Sequence, residues 1–176
     1  VPDSSTGYVY QYSLSTAFDV SSASYLNYYA SGYATQSMSF NNDGTKLFLL
    51  TANQIREYSV STAFDTSSTV SLTTSTSLSS QESAMTGFAF NNDGTKMFTV
   101  GYNNDKVYEY ALSTAFDVSS SSLSFTDSLS ISSQEQIPTE IRFNLDGTKM
   151  YITGNEGRDI NEYTLSTAFD ISSTVT

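Results

Sequence analysis

The segment Phe90-Asn91-Asn92-Asp93-Gly94-Thr95-Lys96-Met97-Phe98-Thr99-Val100 reads as a tight turn feeding an apolar β-strand. Its glycine accepts the positive φ that a two-strand hairpin demands, and the strand after it is apolar on both faces. Phe40 to Lys46 repeat the turn residue for residue, and Phe143 to Lys149 repeat it with Leu145 in place of the second Asn. The turn glycines Gly44, Gly94 and Gly147 stand 50 and 53 residues apart. A second anchor, Ser-Thr-Ala-Phe-Asp, interleaves with the first in four copies: Phe18 with Asp19, Phe64 with Asp65, Phe116 with Asp117, and Phe169 with Asp170. Two anchors in fixed order make an internal repeat of about fifty residues, the length of one propeller blade.

Each unit divides into four strands. A short apolar strand such as Phe88 to Phe90 runs into the turn, and a continuous one such as Met97 to Val100 follows and is expected to lie deep. The third strand alternates, as in Val9 to Leu14, Ile55 to Val60, Val107 to Leu112 and Ile160 to Leu165. The fourth, Leu123 to Ile131, alternates apolar residues with Ser and Thr, as an outer strand does. No helical period appears, and Pro2 and Pro138 fall outside the expected strand interiors. The fold class is therefore all-β: propeller blades of four antiparallel strands, about three and a half repeats, with a β-solenoid as the structural alternative. One repeat domain spans 1–176, with units at 1–37 (partial), 38–85, 86–138 and 139–176 (partial). A ring needs about four to eight blades. An excerpt of a longer chain, or self-association with copies or other subunits of one assembly, is expected to complete it, and a start at Val1-Pro2 fits a processed form or an excerpt.

The run Phe143 to Gly154, followed by Asp159 to Leu165, resembles the YVTN-type propeller repeat, once per unit over essentially the whole chain. The Ser-Thr-Ala-Phe-Asp loop is similar to repeats in marine bacterial secreted proteins and in phage structural and tail-fibre proteins. That resemblance implies surface attachment or architecture, with an extracellular, cell-surface or virion location. The chain has no Trp, so the WD-repeat signature is missing.

Composition narrows the function. Eighteen acidic against seven basic residues give a net charge of -11, which repels nucleic acid and anionic membranes. There is no Cys and no His, which removes disulfides, thiolates, zinc sites of the usual kind and the commonest proton shuttle. No apolar run reaches the roughly 20 residues of a membrane-spanning helix.

The clustered oxygens of the turns could hold calcium, but the calcium-loop spacing with its closing Glu is absent, and Asn or Asp before Gly is ordinary turn chemistry. No cofactor or metal is expected. The aromatic of each Ser-Thr-Ala-Phe-Asp loop is expected to plug between blades, with the aspartate capping the next turn. Glu57, Glu109 and Glu162 recur at one third-strand position, where the first copy has Gln11, and Glu82 and Glu135 precede innermost strands. Acids that recur with the repeat suit structure better than glycoside hydrolysis. No acid pair outside the repeat stands out. Tyr25, Tyr28, Tyr29 and Tyr33 crowd the first outer strand, where other copies hold Ser and Thr, and mark a candidate interaction surface. The expectation is a noncatalytic structural or interaction module of an extracellular filament, fibre or virion appendage. The alternatives are a glycan-binding adhesin and, last, a carbohydrate-active propeller enzyme.

Overall fold

The computed structural model describes residues 1–176 and is all β apart from one 3-10 turn at Val20–Ser22. A first, two-stranded sheet pairs β1 (Tyr8–Leu14) with β2 (Ala23–Ala30). The second blade runs β3 (Ser37–Phe40), β4 (Lys46–Leu50), β5 (Gln54–Val60) and β6 (Val70–Ser77) in spatial order. The third repeats this with β7 (Met85–Phe90), β8 (Lys96–Gly101), β9 (Lys106–Leu112) and β10 (Leu123–Ser130). The fourth has β11 (Pro138–Phe143), β12 (Lys149–Gly154) and β13 (Ile160–Thr164), with a single bridge from Leu165 to Val175. All pairings are antiparallel, and every outer strand that pairs with a third strand carries a register shift that sharpens its twist.

The four-stranded blade is thus as the repeat predicts, and β1 and β2 occupy the third and outer positions of the first blade. One detail differs. The innermost strands begin two or three residues earlier than their apolar cores, so Pro138 opens β11 instead of standing outside it. A first strand residue is a position where the missing N–H of proline removes no needed ladder bond.

Blades stack face to face through three apolar layers. Val9 meets Leu47, Leu49, Tyr58 and Val60 between the first and second blades. Phe48, Leu50 and Ile55 meet Phe88, Met97, Tyr108 and Tyr110 between the second and third. Phe98, Val100 and Val107 meet Ile141, Met150, Ile152 and Tyr163 between the third and fourth. After their opening lysines, β4 and β8 are fully buried because successive residues serve opposite layers, which calls for a nearly continuous apolar run, whereas β12 is buried only at alternate positions.

The repeated polar residues fasten the blades. In each turn the first Asn accepts the backbone N–H of the lysine five residues on, at 2.9–3.0 Å. Asp43, Asp93 and Asp146 each accept both the hydroxyl and the backbone N–H of Thr45, Thr95 and Thr148. Those threonine hydroxyl bonds, followed by the N–H bonds, hold the three carboxyls below the ordinary value near 3.8. Asp19 and Asp65 are lowered in the same way by Ser21 and Ser67. Folded values below unfolded ones stabilise the native state above the unfolded carboxylate range, and that contribution disappears as pH falls through the folded values. Thermal melting is therefore expected to be flat from neutrality to about pH 5 and to drop below about pH 4. A melting temperature unchanged down to pH 3 would show that these turns contribute nothing.

Candidate functional site

Innermost strands β3, β7 and β11 are where the repeat breaks its own rule. Counting back from the turn phenylalanine, the third position holds Ser37, Gly87 and Glu140, and the first holds Ser39, Ala89 and Arg142. The residues between them, Met38, Phe88 and Ile141, remain apolar and enter the interblade layers. Packing therefore fixes one side of these strands, while the other side is free to vary.

These varied residues meet. Arg142 Nη1 donates to Glu140 Oε1 at 2.9 Å, and Nη2 donates to Oε2 at 3.3 Å. Ser37 Oγ, from two blades away, donates to Glu140 Oε2 at 3.0 Å. Gly87 makes that reach possible, since a Cβ there would sit 2.6 Å from Glu140 Cα. Arg142 Nη1 also donates to the Phe88 carbonyl at 2.9 Å, tying β11 to β7. The Arg142 side chain stays half exposed, whereas Glu140 is about a third exposed behind it. Arg142 opens onto a cleft of about 270 Å³ shared with Ser39, Asn42, Asn92, Asn144 and Phe90. Asn42 and Asn92 each donate across a blade boundary, to the carbonyls of Asn92 and Leu145, and so hold the cleft wall in register.

Chemically this is a guanidinium with unspent donor capacity beside a carboxylate positioned by three neighbours. The pair offers an anchor for an anionic or carbonyl oxygen and an acceptor for a proton. Arg142 is the one charged side chain lining the cleft.

The residues singled out from the sequence fall elsewhere. Glu57 and Glu109 are buried interblade ties: Lys46 and Lys96 pair with them at 2.8 Å, and they accept the N–H of Val118 and Ile171 from the next blade. Glu82 is turned into its own loop, accepting the N–H of Ala84 and Asn104, and Glu135 accepts that of Ile137. Phe64, Phe116 and Phe169 lie over Gly44, Gly94 and Gly147 of their own blades, donating their N–H to the glycine carbonyls. All four loop phenylalanines have positive φ, 53–61°, which no sequence signal indicates for an aromatic residue. Asp19, Asp65, Asp117 and Asp170 accept the N–H two residues on.

The tyrosines do not form one surface. Tyr25 and Tyr28 are half exposed and join Tyr8, Tyr10 and Tyr12 on one face of the first sheet. Tyr29 points the other way onto Tyr58, and Tyr33 takes the Arg56 guanidinium 3.5 Å from its ring centre. A register shift at Leu26 puts Tyr25 on the face of Tyr28, alternation turns Tyr29 away, and Tyr33 lies beyond the end of β2.

No family model matches the chain, and no curated protein matches it. Solved structures do, all at low identity. A functionally unknown protein from Desulfotomaculum acetoxidans aligns with TM-score 0.64 and 17% identity over 98% of this chain and 50% of its own. A candidate 6-phosphogluconolactonase from Bacteroides fragilis aligns with TM-score 0.61 and 10% identity over 97% and 47%. The periplasmic gluconolactonase of Pseudomonas aeruginosa aligns with TM-score 0.57 and 14% identity over 86% and 40%. A β-propeller domain of Cps50 from Myceliophthora is also similar, with TM-score 0.54. The chain spans about half the length of the solved structures that it matches. The fold is that of a β-propeller. No helix is long and apolar enough to cross a membrane.

These likenesses overturn the expectation of a noncatalytic structural module, together with its adhesin alternative and the statement that the chain is not an enzyme. Blades of this architecture occur in proteins described as lactonases, so architecture alone gives no ground for excluding chemistry. Glu140 with Arg142 is one non-repeated acid beside a base, an arrangement different from the acid pair that is missing outside the repeat. Filament, tail-fibre and adhesion roles lose their basis with it.

Proposed function

We propose that the Arg142–Glu140 site hydrolyses a sugar lactone within a β-propeller. The observation that carries this is the one ion pair placed outside the repeat, on the innermost strand β11, whose Arg142 lines a cleft of sugar size with Glu140 directly behind it. Arg142 holds the lactone carbonyl oxygen and stabilises the oxyanion that develops when water adds. Glu140 takes the proton of that water as the new C–O bond forms. Collapse of the intermediate breaks the ring C–O bond, and the proton passes to the departing alkoxide, giving the open hydroxy acid. Ser37 is the positioning residue that holds Glu140 in place. The likeness to lactonase propellers supports the substrate class, and the polar face of the cleft supports a hydroxylated substrate. The YVTN-type assignment rests on the Asp-Gly turn and the Tyr-containing strands, and an extracytoplasmic location is supported by the Ser/Thr-rich acidic composition.

Hydrolysis of δ-gluconolactone, followed by acid release at constant pH, tests the proposal. The wild-type chain is expected to exceed the buffer rate, and Glu140→Gln to lower kcat/KM about 10²-fold with the melting temperature retained. Wild-type turnover no faster than buffer, or an unaffected Glu140→Gln variant, would sink it.

A further inference from the structure

The same polar device joins every pair of successive blades. Lys46 Nζ donates to the Phe116 carbonyl at 2.7 Å while its partner Glu57 accepts the Val118 N–H at 3.1 Å. Lys96 and Glu109 do the same to Phe169 and Ile171, at 2.7 and 3.1 Å. In the first blade Gln11 serves both ends: its amide donates to the Phe64 carbonyl at 3.1 Å and its oxygen accepts the Thr66 N–H at 2.8 Å. Each socket thus takes a Phe-Asp-x loop from the next blade, and the residue after Asp is buried there, Val118 at 0% and Ile171 at 4% exposure.

One socket and one plug are left over. Lys149 and Glu162 form the ion pair of the fourth blade, with no loop in it, and both are exposed. Around them Ile160 and Leu145 are bare at 68% and 91% exposure, although Ile55 and Val107, which match Ile160 in the repeat, are fully buried. At the other end, the loop Phe18-Asp19-Val20 has its plug conformation, with Phe18 at φ 61° and Asp19 capping Ser21, yet Phe18 is 99% and Val20 82% exposed. Tyr12, Tyr25 and Tyr28 on that side are half exposed, although Tyr58 and Tyr110, which match Tyr12 in the repeat, are buried between blades.

We infer that the open face of the first blade binds the open face of the fourth blade of a second copy of this chain. Phe18 carbonyl receives Lys149, Val20 N–H reaches Glu162, and the Val20 side chain covers Ile160. The contact continues an interface that the chain already makes three times, twice with a Lys–Glu pair and once with the Gln11 amide. Two copies placed head to tail bring both pairs of open faces together and leave none free, so the arrangement closes as a dimer and does not grow.

Sedimentation of the purified chain tests this. The expected mass is about twice the 19.2 kDa of one chain. Val20→Asp and Glu162→Lys each change an exposed side chain, so both variants should keep the wild-type circular dichroism and melting temperature while weakening dimerisation at least about tenfold, as loss of one well-made apolar or charged anchor does. An equimolar mixture of the two retains one intact plug and one intact socket and should recover a two-chain particle. A wild-type monomer at the highest soluble concentration, a dimer indifferent to both variants, or a mixture that stays monomeric would each overturn the inference.

Discussion

Glu109→Ala is expected to cost about 3–5 kcal/mol of folding stability, the range found when one partner of a buried ion pair is removed. The carboxylate is 6% exposed and carries three bonds: from Lys96 at 2.8 Å, from the Ile171 N–H at 3.1 Å and from Thr126 at 3.4 Å. Its loss leaves the Ile171 N–H buried without an acceptor and Lys96 held only by the Phe169 carbonyl. Against a typical total of about 5–15 kcal/mol, that is a large fraction. Glu162→Ala is the contrast: the same residue type at the same place in the repeat, but exposed and without a following blade, so its urea midpoint should stay near wild type in the monomer. The first blade shows how to repair the damage. Lys96→Met combined with Glu109→Gln lets one amide donate to Phe169 and accept from Ile171, as Gln11 does for Phe64 and Thr66, and should be clearly more stable than Glu109→Ala. If Glu109→Ala shifts the midpoint no further than Glu162→Ala, the interblade tie has no energetic weight.

Gly94→Ala is expected to cost about 2–5 kcal/mol. Gly94 has φ +73°, where a Cβ brings a penalty of about 1–2 kcal/mol. The added atom would also fall within the Phe116 ring, which lies flat over the glycine and is fixed there by its own N–H bond to the Gly94 carbonyl at 2.9 Å. Displacing a packed ring adds about 1–3 kcal/mol. Gly32 separates the two costs, since it has φ +75° but nothing within 4 Å of the added atom. Gly32→Ala should therefore lose only the backbone part, about 1–2 kcal/mol. Equal losses at the two sites, measured by urea unfolding, would mean that Phe116 moves aside without cost.

The proposed site was partly visible before any coordinates. Glu140 and Arg142 could have been noticed by the reasoning that picked out Tyr25 to Tyr33, namely departure from the repeat. The recurrence of Glu57, Glu109 and Glu162, by contrast, marks those acids as structural. The tyrosines show the opposite limit: they are close in sequence, but a register shift at Leu26 brings Tyr25 onto the face of Tyr28, while alternation turns Tyr29 to the other.

What the chain order alone determined is the blade. Repeat length, turn glycines, the continuous apolar second strand and the alternating third and fourth are local or periodic properties, and local sterics with burial on one or two faces dictate them. What only the tertiary structure decided is which residues meet across blades. Ser37 reaches Glu140 over 103 positions of sequence, and Lys46 reaches the carbonyl of Phe116 over 70. The left-handed phenylalanines are likewise held by glycine turns about twenty residues away. Such contacts depend on how one sheet is rotated onto the next, and that rotation is set by the summed packing of whole apolar layers, which no short stretch of sequence encodes.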